Sequence, residues 1–445
     1  MTISELRDAC MEKYDKNSHF LNERAKNNIE RHRKREHSIR LIDKNGEPIA
    51  GARIKITQIS HDFKYGANIF MLDEFKEAEI NRRYRDTFSE YFNLATVPFF
   101  WEGTEPEQGK LRYDADSEKM YRRPPTDLCV EYCEEKGILP KLHCLFYDKI
   151  IPDWLPKNDS AEMWRLYEKR FAEIAERYSG RMYEFEATNE LISAYFWKKC
   201  SILANEKDIG IRMWEMARRY FPNETLVIND TTPASVVKGN FGYPYYLMIK
   251  EFLSKGASID KIGGQHHIFS GVDGTPVADD LLKSKGSLDP EIMIQGLERM
   301  AEFGKPLEIT EVTIPTVDDS EEAEQLQAEM LRELYTLWFA TPRMESVVYW
   351  NVADFTAVVD GDEWDENRCR GGLFNYDMTP KRSALELKRL FTEEWHTEEE
   401  LVSDEQGVVR FRGFFGDYKA SVGNESFNFG LHRAQPTRTT HQMFI

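Results

Sequence analysis

Eight short apolar runs, laid out between residues 63 and 355 and separated by stretches with helical spacing, constrain this chain more than any other feature. They lie at Phe63 to Phe70, Phe92 to Phe99, Leu139 to Phe146, Met182 to Glu190, Thr225 to Pro233, Lys261 to Phe269, Pro306 to Pro315 and Ser346 to Phe355. Between them, patterns such as Met163-Leu166-Tyr167-Phe171-Ile174-Ala175 and Leu326-Met330-Leu331-Leu334-Leu337 put apolar residues on one helical face without an internal glycine or proline. Strand then helix, eight times over, predicts a closed parallel sheet, the (β/α)8 TIM barrel of the α/β class. An open doubly wound sheet shares the alternation. No run is followed by Gly-x-Gly-x-x-Gly or by a phosphate-cradling Gly-Lys-Ser/Thr, so the nucleotide signature of that alternative is missing.

Composition narrows the partners. The chain has 445 residues, 41% of them hydrophobic, which is enough for one large core. Its 59 basic and 77 acidic side chains give a formal charge of −18, which disfavours nucleic acid and anionic membrane surfaces. No apolar run approaches the ~18 residues of a bilayer span. Cys10, Cys129, Cys133, Cys144, Cys200 and Cys369 show no paired zinc-ligand spacing, and Cys129 and Cys133 share one helix face, a packing position. The first residues lack the basic start and apolar centre of an export leader, so the chain is either cytoplasmic or secreted or periplasmic after loss of a leader.

Two acidic residues stand where a barrel gathers its chemistry. Glu190 ends the fourth run in Phe185-Glu186-Ala187-Thr188-Asn189-Glu190, and Glu311 follows Leu307-Glu308-Ile309-Thr310 in the seventh. Cutting a glycosidic bond takes two carboxyl groups facing each other across the sugar, and barrel strand ends can supply them. Taken singly, each glutamate reads more readily as a surface charge, and it is the pairing that points to chemistry. Strict alternation puts Glu186 on the same side as Glu190 but deeper, and turns Glu308 away from Glu311, toward the helices. Both are therefore set aside as decoys.

The chain ends differ from its middle. Residues 1 to about 38 look like a charged helix ending in Arg31-His32-Arg33-Lys34-Arg35, a solvated face rather than a nucleic-acid patch. Ser38-Ile39-Arg40-Leu41-Ile42, the turn signal Asn45-Gly46 and Ala52-Arg53-Ile54-Lys55-Ile56-Thr57 read as a β-hairpin. Gly407 to Phe414 and Tyr418 to Val422 read as further strands. The expected layout is residues 1–60 as one part of a β-rich accessory collar, 61–395 as the barrel, and 396–445 as the rest of the collar, a packing accessory without a ligand.

Between residues 60 and 395 the chain resembles glycoside hydrolase family 10, the endo-β-1,4-xylanases. The resemblance is carried by Phe92-Asn93 with Thr96, Trp101, Glu105-Pro106, His143 followed by Pro152-Asp153-Trp154, Asn189-Glu190, Asn229-Asp230, Gln265-His266-His267, Ile309-Thr310-Glu311, and Trp350 with Asp354. Asp43 to Ala52 and Phe411 to Tyr418 are similar to the flanking β segments of plant-type members. The resemblance implies a retaining endo-β-1,4-glycan hydrolase acting on xylan or a related β-1,4-linked polysaccharide, without metal or organic cofactor. It makes Glu311 the nucleophile and Glu190 the acid/base. Asn189 would bind the 2-hydroxyl of the reacting sugar, His143 would touch that sugar, and Trp350 would lie under its ring. His267 would hold the nucleophile, and alternation puts it on the inward side of the sixth run with Gln265, with His266 turned away. Asn229, Trp101 and Tyr147 complete the substrate-binding set. The duller readings are core histidines for His143 and His267, zinc ligation together with His266, and loop packing for Trp101, Tyr147 and Trp154.

Several positions depart from the family pattern. Val97-Pro98-Phe99-Phe100-Trp101 stands where many members carry Glu-Asn-x-x-Lys, which grips the second sugar on the non-reducing side. Tyr147 and Asp148 replace a tryptophan and a histidine, and Thr313 replaces an acid. Thr356-Ala357-Val358-Val359 lacks the second tryptophan of the strand-eight lid, for which Trp364 is a substitute. Action on another β-linked glucan or a decorated xylo-oligosaccharide, or a catalytically idle sugar-binding protein, therefore stays open.

Overall fold

The computed structural model describes residues 1–192, 200–237, 243–358, 364–434 and 440–445, so Val359 of the lid segment lies outside the described residues. The chain opens on helix α1 (Ile3–His32). A reciprocal cap starts it: Thr2 N donates to Glu5 Oε2 at 2.8 Å and Glu5 N to Thr2 Oγ1 at 3.2 Å. The helix stops at His32 rather than near residue 38, because the next residues enter strand β1 (Lys34–Ile42), followed by β2 (Arg53–Gln58).

The eight expected runs are all strands: β3 (Lys64–Asn68), β4 (Leu94–Pro98), β5 (Leu139–His143), β6 (Glu184–Asn189), β7 (Leu226–Asp230), β8 (Lys261–His267), β9 (Leu307–Thr313) and β10 (Met344–Tyr349). They close as a barrel in the order β10-β3-β4-β5-β6-β7-β8-β9. The runs overshoot these strands mostly at their carboxyl ends, where the residues beyond turn into loops. Helices α2 (Ala78–Tyr91), α3 (Trp101–Thr104), α4 (Thr126–Lys136), α5 (Ser160–Tyr178), α6 (Ile209–Tyr220), α7 (Tyr243–Ser254), α8 (Val277–Lys283), α9 (Pro290–Ala301), α10 (Glu321–Phe339) and α11 (Arg382–Arg389) fall between or after the strands. In α5 the buried side is Met163, Leu166, Tyr167, Arg170, Phe171, Ile174 and Tyr178, a three-four spacing that commits one face inward. Asp159 starts the helix by accepting from Glu162 N at 3.1 Å. Among the described residues no helix is long and apolar enough to cross a membrane.

Charge fills the barrel interior. Lys141 Nζ on β5 lies 2.6 Å from Glu308 Oε2, 3.0 Å from Glu186 Oε1 and 3.2 Å from Glu184 Oε1, all four side chains being buried. Lys261 on β8 reaches Glu184 at 2.8 Å, Glu345 at 3.2 Å and Glu308 at 3.3 Å. Glu308 therefore faces the barrel interior and not the helices. The reason is a register shift in β9: Gly264 pairs with Ile309, but the next residue, Gln265, pairs with Glu311, leaving Thr310 as a bulge that resets the parity of the strand.

The structure divides into two compact units, Met1–Lys13 with Tyr65–Met330 and Arg343–Ser383, and Tyr14–Lys64 with Leu331–Pro342 and Ala384–Ile445. The second unit adds β11 (Glu398–Val402), β12 (Val408–Phe414), β13 (Gly416–Val422), β14 (Glu425–Leu431) and β15 (Thr440–Phe444). The expected hairpin does not form. Strand β1 pairs with β12 and β15, whereas β2 lies between β11 and β13 in another sheet. The turn signal holds locally, with Gly46 at φ 86° and Asp43 Oδ1 accepting from Asn45 N and Glu47 N at 2.8 Å, but the strands beyond it part. Alternate residues of both sheets, including Ile39, Leu41, Ile54, Ile56, Phe411, Tyr418 and Phe429, form one apolar core. Within the basic run Arg33 is not solvated: it is 4% exposed, donates to Phe339 O at 2.6 Å and Thr341 O at 2.7 Å, and lies over the Phe63 and Phe339 rings, whereas Arg31 is exposed.

Candidate active site

Glu190 and Glu311 meet at the carboxyl ends of β6 and β9. Gln265 Nε2, on β8, donates to Glu190 Oε1 at 3.2 Å and to Glu311 Oε1 at 3.0 Å. The two acceptor oxygens are thus no further apart than the sum of those bonds, short of the roughly 6.5–9.5 Å that an inverting glycosidase keeps open for a water. Glu190 reaches this place through a left-handed backbone, φ 52°, whose N–H is held by Asn229 O at 3.1 Å.

Glu311 is 3% exposed and fully bonded. Asn229 Nδ2 joins Gln265 on Oε1 at 2.9 Å, and His267 Nε2 meets Oε2 at 3.0 Å. Burial pushes this carboxyl up, but the His267 bond, the charges of His143 and His267 and the Asn229 amide outweigh it and hold Glu311 below the usual carboxylate range. The Asn229 amide is itself oriented by Thr310, whose hydroxyl donates to Asn229 Oδ1 at 2.5 Å, so that Nδ2 faces Glu311 and, at 2.9 Å, Asn189 Oδ1. Thr313 takes up the other side of His267, Nδ1 to Oγ1 at 2.9 Å.

Asn189 spends its Oδ1 on Asn229 and Gln265, leaving its Nδ2 without a partner among the described residues. His143 contacts Glu186 through Nδ1 and leaves Nε2 without a described partner. Burial opposes charging His143, but Glu186 overcomes it and raises its pKa. Glu186 is paired with both Lys141 and His143, the condition an inward charge at its depth needs. Trp350 stands edge-on to His143 at 5.2 Å, to Phe70 at 5.2 Å and to His267 at 6.0 Å. Tyr147 Oη donates to Glu190 Oε2 at 2.6 Å, and Lys149 Nζ lies 4.0 Å from the same oxygen.

Trp101 is not brought to the pair. It is 4% exposed, gives its Nε1 hydrogen to Glu105 Oε2 at 2.9 Å and packs on Tyr167 at 4.7 Å. Its neighbour Phe100 faces the site, edge-on to His143 at 5.2 Å. His266, between Gln265 and His267, is fully buried, and that burial pushes its pKa down to about 3. Asp148 is likewise internal, bonded to Ser201 N at 2.7 Å and Tyr167 Oη at 3.2 Å. Trp364 is 54% exposed and stands edge-on to Phe269, which stacks on His267 at 4.4 Å. Sequence reasoning missed the partners of Glu186, Lys149 itself, and the roles of Thr310 and Thr313. Lys141 and His143, two apart on β5 and facing Glu184 and Glu186, two apart on β6, were the available signal for the first.

His143, Glu186 and Glu311 put ligand-type atoms within 4.8 Å of one another. Their oxygens and Nδ1 are already engaged by Lys141, His267, Asn229, Gln265 and each other, so a cation there would have to displace existing bonds.

The sequence profile described as glycosyl hydrolase family 10 matches residues 59–387. Anti-sigma-I factor RsgI6 of Acetivibrio thermocellus is 24% identical over 434 residues, 95% of this chain and 50% of that protein. Endo-1,4-beta-xylanase 1 of Arabidopsis thaliana is 24% identical over 401 residues, 88% of this chain and 36% of that protein. The chain thus spans half or less of these two curated relatives. Native xylanase 10B from Thermotoga maritima shares the fold, with a TM-score of 0.58 at 20% identity over 75% of this chain and 96% of that one.

Proposed function

The chain belongs to glycosyl hydrolase family 10, and on that premise we propose that it is a retaining endo-β-1,4-glycan hydrolase, an endo-β-1,4-xylanase whose substrate is xylan or a related β-1,4-linked polysaccharide. The observation that carries the reading is the single Gln265 amide bridging Glu190 and Glu311, because it keeps their bridged oxygens closer than the separation an inverting pair needs for its water.

In the first step a Glu311 oxygen bonds to the anomeric carbon as the bond from that carbon to the leaving oxygen breaks, and Glu190 gives that oxygen its proton. In the second, water loses a proton to Glu190 and attacks the same carbon, and the ester to Glu311 breaks. Glu311 suits the nucleophile because its bonds favour the ionised form despite burial. Asn189 Nδ2 supplies a donor for the 2-hydroxyl, a bond that strengthens as the ring approaches an oxocarbenium ion. His143 Nε2 offers a second donor, and Trp350 a flat apolar surface for the ring.

The test is proton NMR of the first anomer released from linear xylan. We expect the β-anomer first; α-anomer first would overturn retention, and release from mixed-linkage glucan but not from xylan would overturn the substrate. Glu311→Ala should lower turnover at least about 10⁴-fold with the fold intact, and a variant that still hydrolyses xylan would remove Glu311 from its role.

A further inference from the structure

Glu190 has 23% of its side chain exposed, so its orientation depends on the bonds it accepts. Gln265 shares its amide among Asn189 Oδ1, Glu190 Oε1 and Glu311 Oε1 at 3.3, 3.2 and 3.0 Å. The Tyr147 hydroxyl makes the shorter contact, 2.6 Å to Oε2. Tyr147 is itself held, 8% exposed, in a cluster with Phe70, Phe100, Cys144 and Trp350. The family resemblance puts an indole at this position, and this chain has a phenol. The difference is chemical. An indole N–H can only donate, whereas a phenol both donates and accepts.

Resting on the hydrolase reading above, we propose that Tyr147 is a positioning residue for the acid/base: its hydroxyl donates to the Glu190 carboxylate and turns to accept from the Glu190 carboxylic acid, holding one geometry through both steps. The proton that reaches the leaving oxygen comes from Glu190, and the proton taken from water returns to Glu190. Tyr147 neither gains nor loses one. Burial and the Glu190 charge push the phenol pKa well above its usual value, which keeps its hydrogen in place. Among the described residues, the charged and titratable groups bearing on Glu190 include Tyr147, Lys149 and Cys144 from the end of β5 and the loop after it, Asp230 at the end of β7 and Glu311 on β9. Of these Lys149 carries positive charge, with Nζ 4.0 Å from Glu190 Oε2.

The experiment compares wild type, Tyr147→Phe and Glu190→Ala on xylan and on an aryl β-xyloside whose leaving group needs no proton. Tyr147→Phe keeps the ring packing and should lose about 10- to 100-fold in kcat on xylan, with KM within about 2-fold and the aryl substrate's kcat/KM within about 3-fold. The basic limb of its kcat/KM profile on xylan should also move. Should that variant fail to fold, Tyr147→Trp carries the same test, retaining a donor and losing the acceptor. A raised KM with unchanged kcat would make Tyr147 a substrate contact, and equal losses on both substrates with an unmoved basic limb would make it structural; either overturns the proposal. If Glu190→Ala fails to spare the aryl substrate, the acid/base assignment itself falls; if it does spare it and Tyr147→Phe does not, only this inference does.

Discussion

Replacing Lys141 with methionine keeps an apolar stem of similar length and deletes the ammonium that three buried carboxylates share. Glu308, Glu186 and Glu184 lie 2.6, 3.0 and 3.2 Å from it, in a barrel interior closed to solvent. Removing one partner of a buried ion pair costs about 3–5 kcal/mol because the other is left uncompensated. Three partners place Lys141→Met toward the top of that range rather than at three times it, since Lys261 still serves Glu184 and Glu308 and contributions within one network do not add. The strained interior has one outlet, protonation. Burial and the nearby Glu308 already raise the pKa of Glu184, and loss of Lys141 raises it further. A carboxyl whose folded pKa is raised gives stability that is present below its unfolded pKa and is lost as pH rises through the folded one. The deficit of the variant must therefore widen with pH, by up to about 1.4 kcal/mol per unit for one group. Urea unfolding followed by tryptophan fluorescence at pH 5 and pH 8 measures both quantities. A deficit under about 1 kcal/mol at pH 8, or one that narrows as pH rises, would refute the account of the interior as a charge-balanced network.

His267→Ala removes a bond to Glu311 Oε2, which raises the nucleophile's pKa; since turnover needs Glu311 ionised, the acid limb of kcat/KM should move to higher pH by about one to two units, and an unmoved limb would exclude His267 as its holder. Arg33→Ala should destabilise the protein by about 2–4 kcal/mol in thermal or urea unfolding, from two lost ionic hydrogen bonds and two ring contacts; a loss under about 1 kcal/mol would show that the run containing it is an ordinary surface charge. Burial pushes Asp230 up to about 7 against the N–H groups of Ile192 and Thr231, so wild-type stability should fall as pH rises from about 4 to 7 and level off above, by about 4 kcal/mol at most. Asp230→Asn should flatten that slope, and a profile identical to wild type would overturn the assignment.

The fold was legible because barrel strands, covered on both faces, read as apolar runs, and the helices between them carry their own period. The site was legible in outline because short motifs fix residue order along strands β5 to β10. Side-chain direction was less legible, because it depends on strict alternation, and a bulge breaks alternation without leaving a glycine or proline to mark it. Glu308 was misdirected for that reason. The hairpin failed for another: Asn45-Gly46 specifies a turn, but a turn does not choose the partners of the strands it joins, and here β12 and β13, more than 350 residues away, outcompete the neighbour. Arg33 failed for a third reason, since the carbonyls of Phe339 and Thr341 that bury it cannot be seen from its own segment.

The same irregularities that defeat alternation are what bring the two carboxyls together. Glu308 and Glu311 are three apart, so in a regular strand one would face the helices; the Thr310 bulge lets Glu308 serve Lys141 in the barrel interior while Glu311 is re-aimed to Gln265 and His267. Strand β6 does likewise, with a register shift between Glu186 and Thr188, and then Glu190 adopts a left-handed backbone that costs roughly 1–2 kcal/mol in a residue with a Cβ. Neither departure stabilises the barrel by itself. Each is held by a bond to β7, Glu190 N to Asn229 O from the adjacent β6 and Thr310 Oγ1 to Asn229 Oδ1 across β8, so Asn229 ties both distorted strand ends to one side chain and its backbone. The distance between the two carboxyls is then set by β7 and β8, which contribute no carboxyl to the pair.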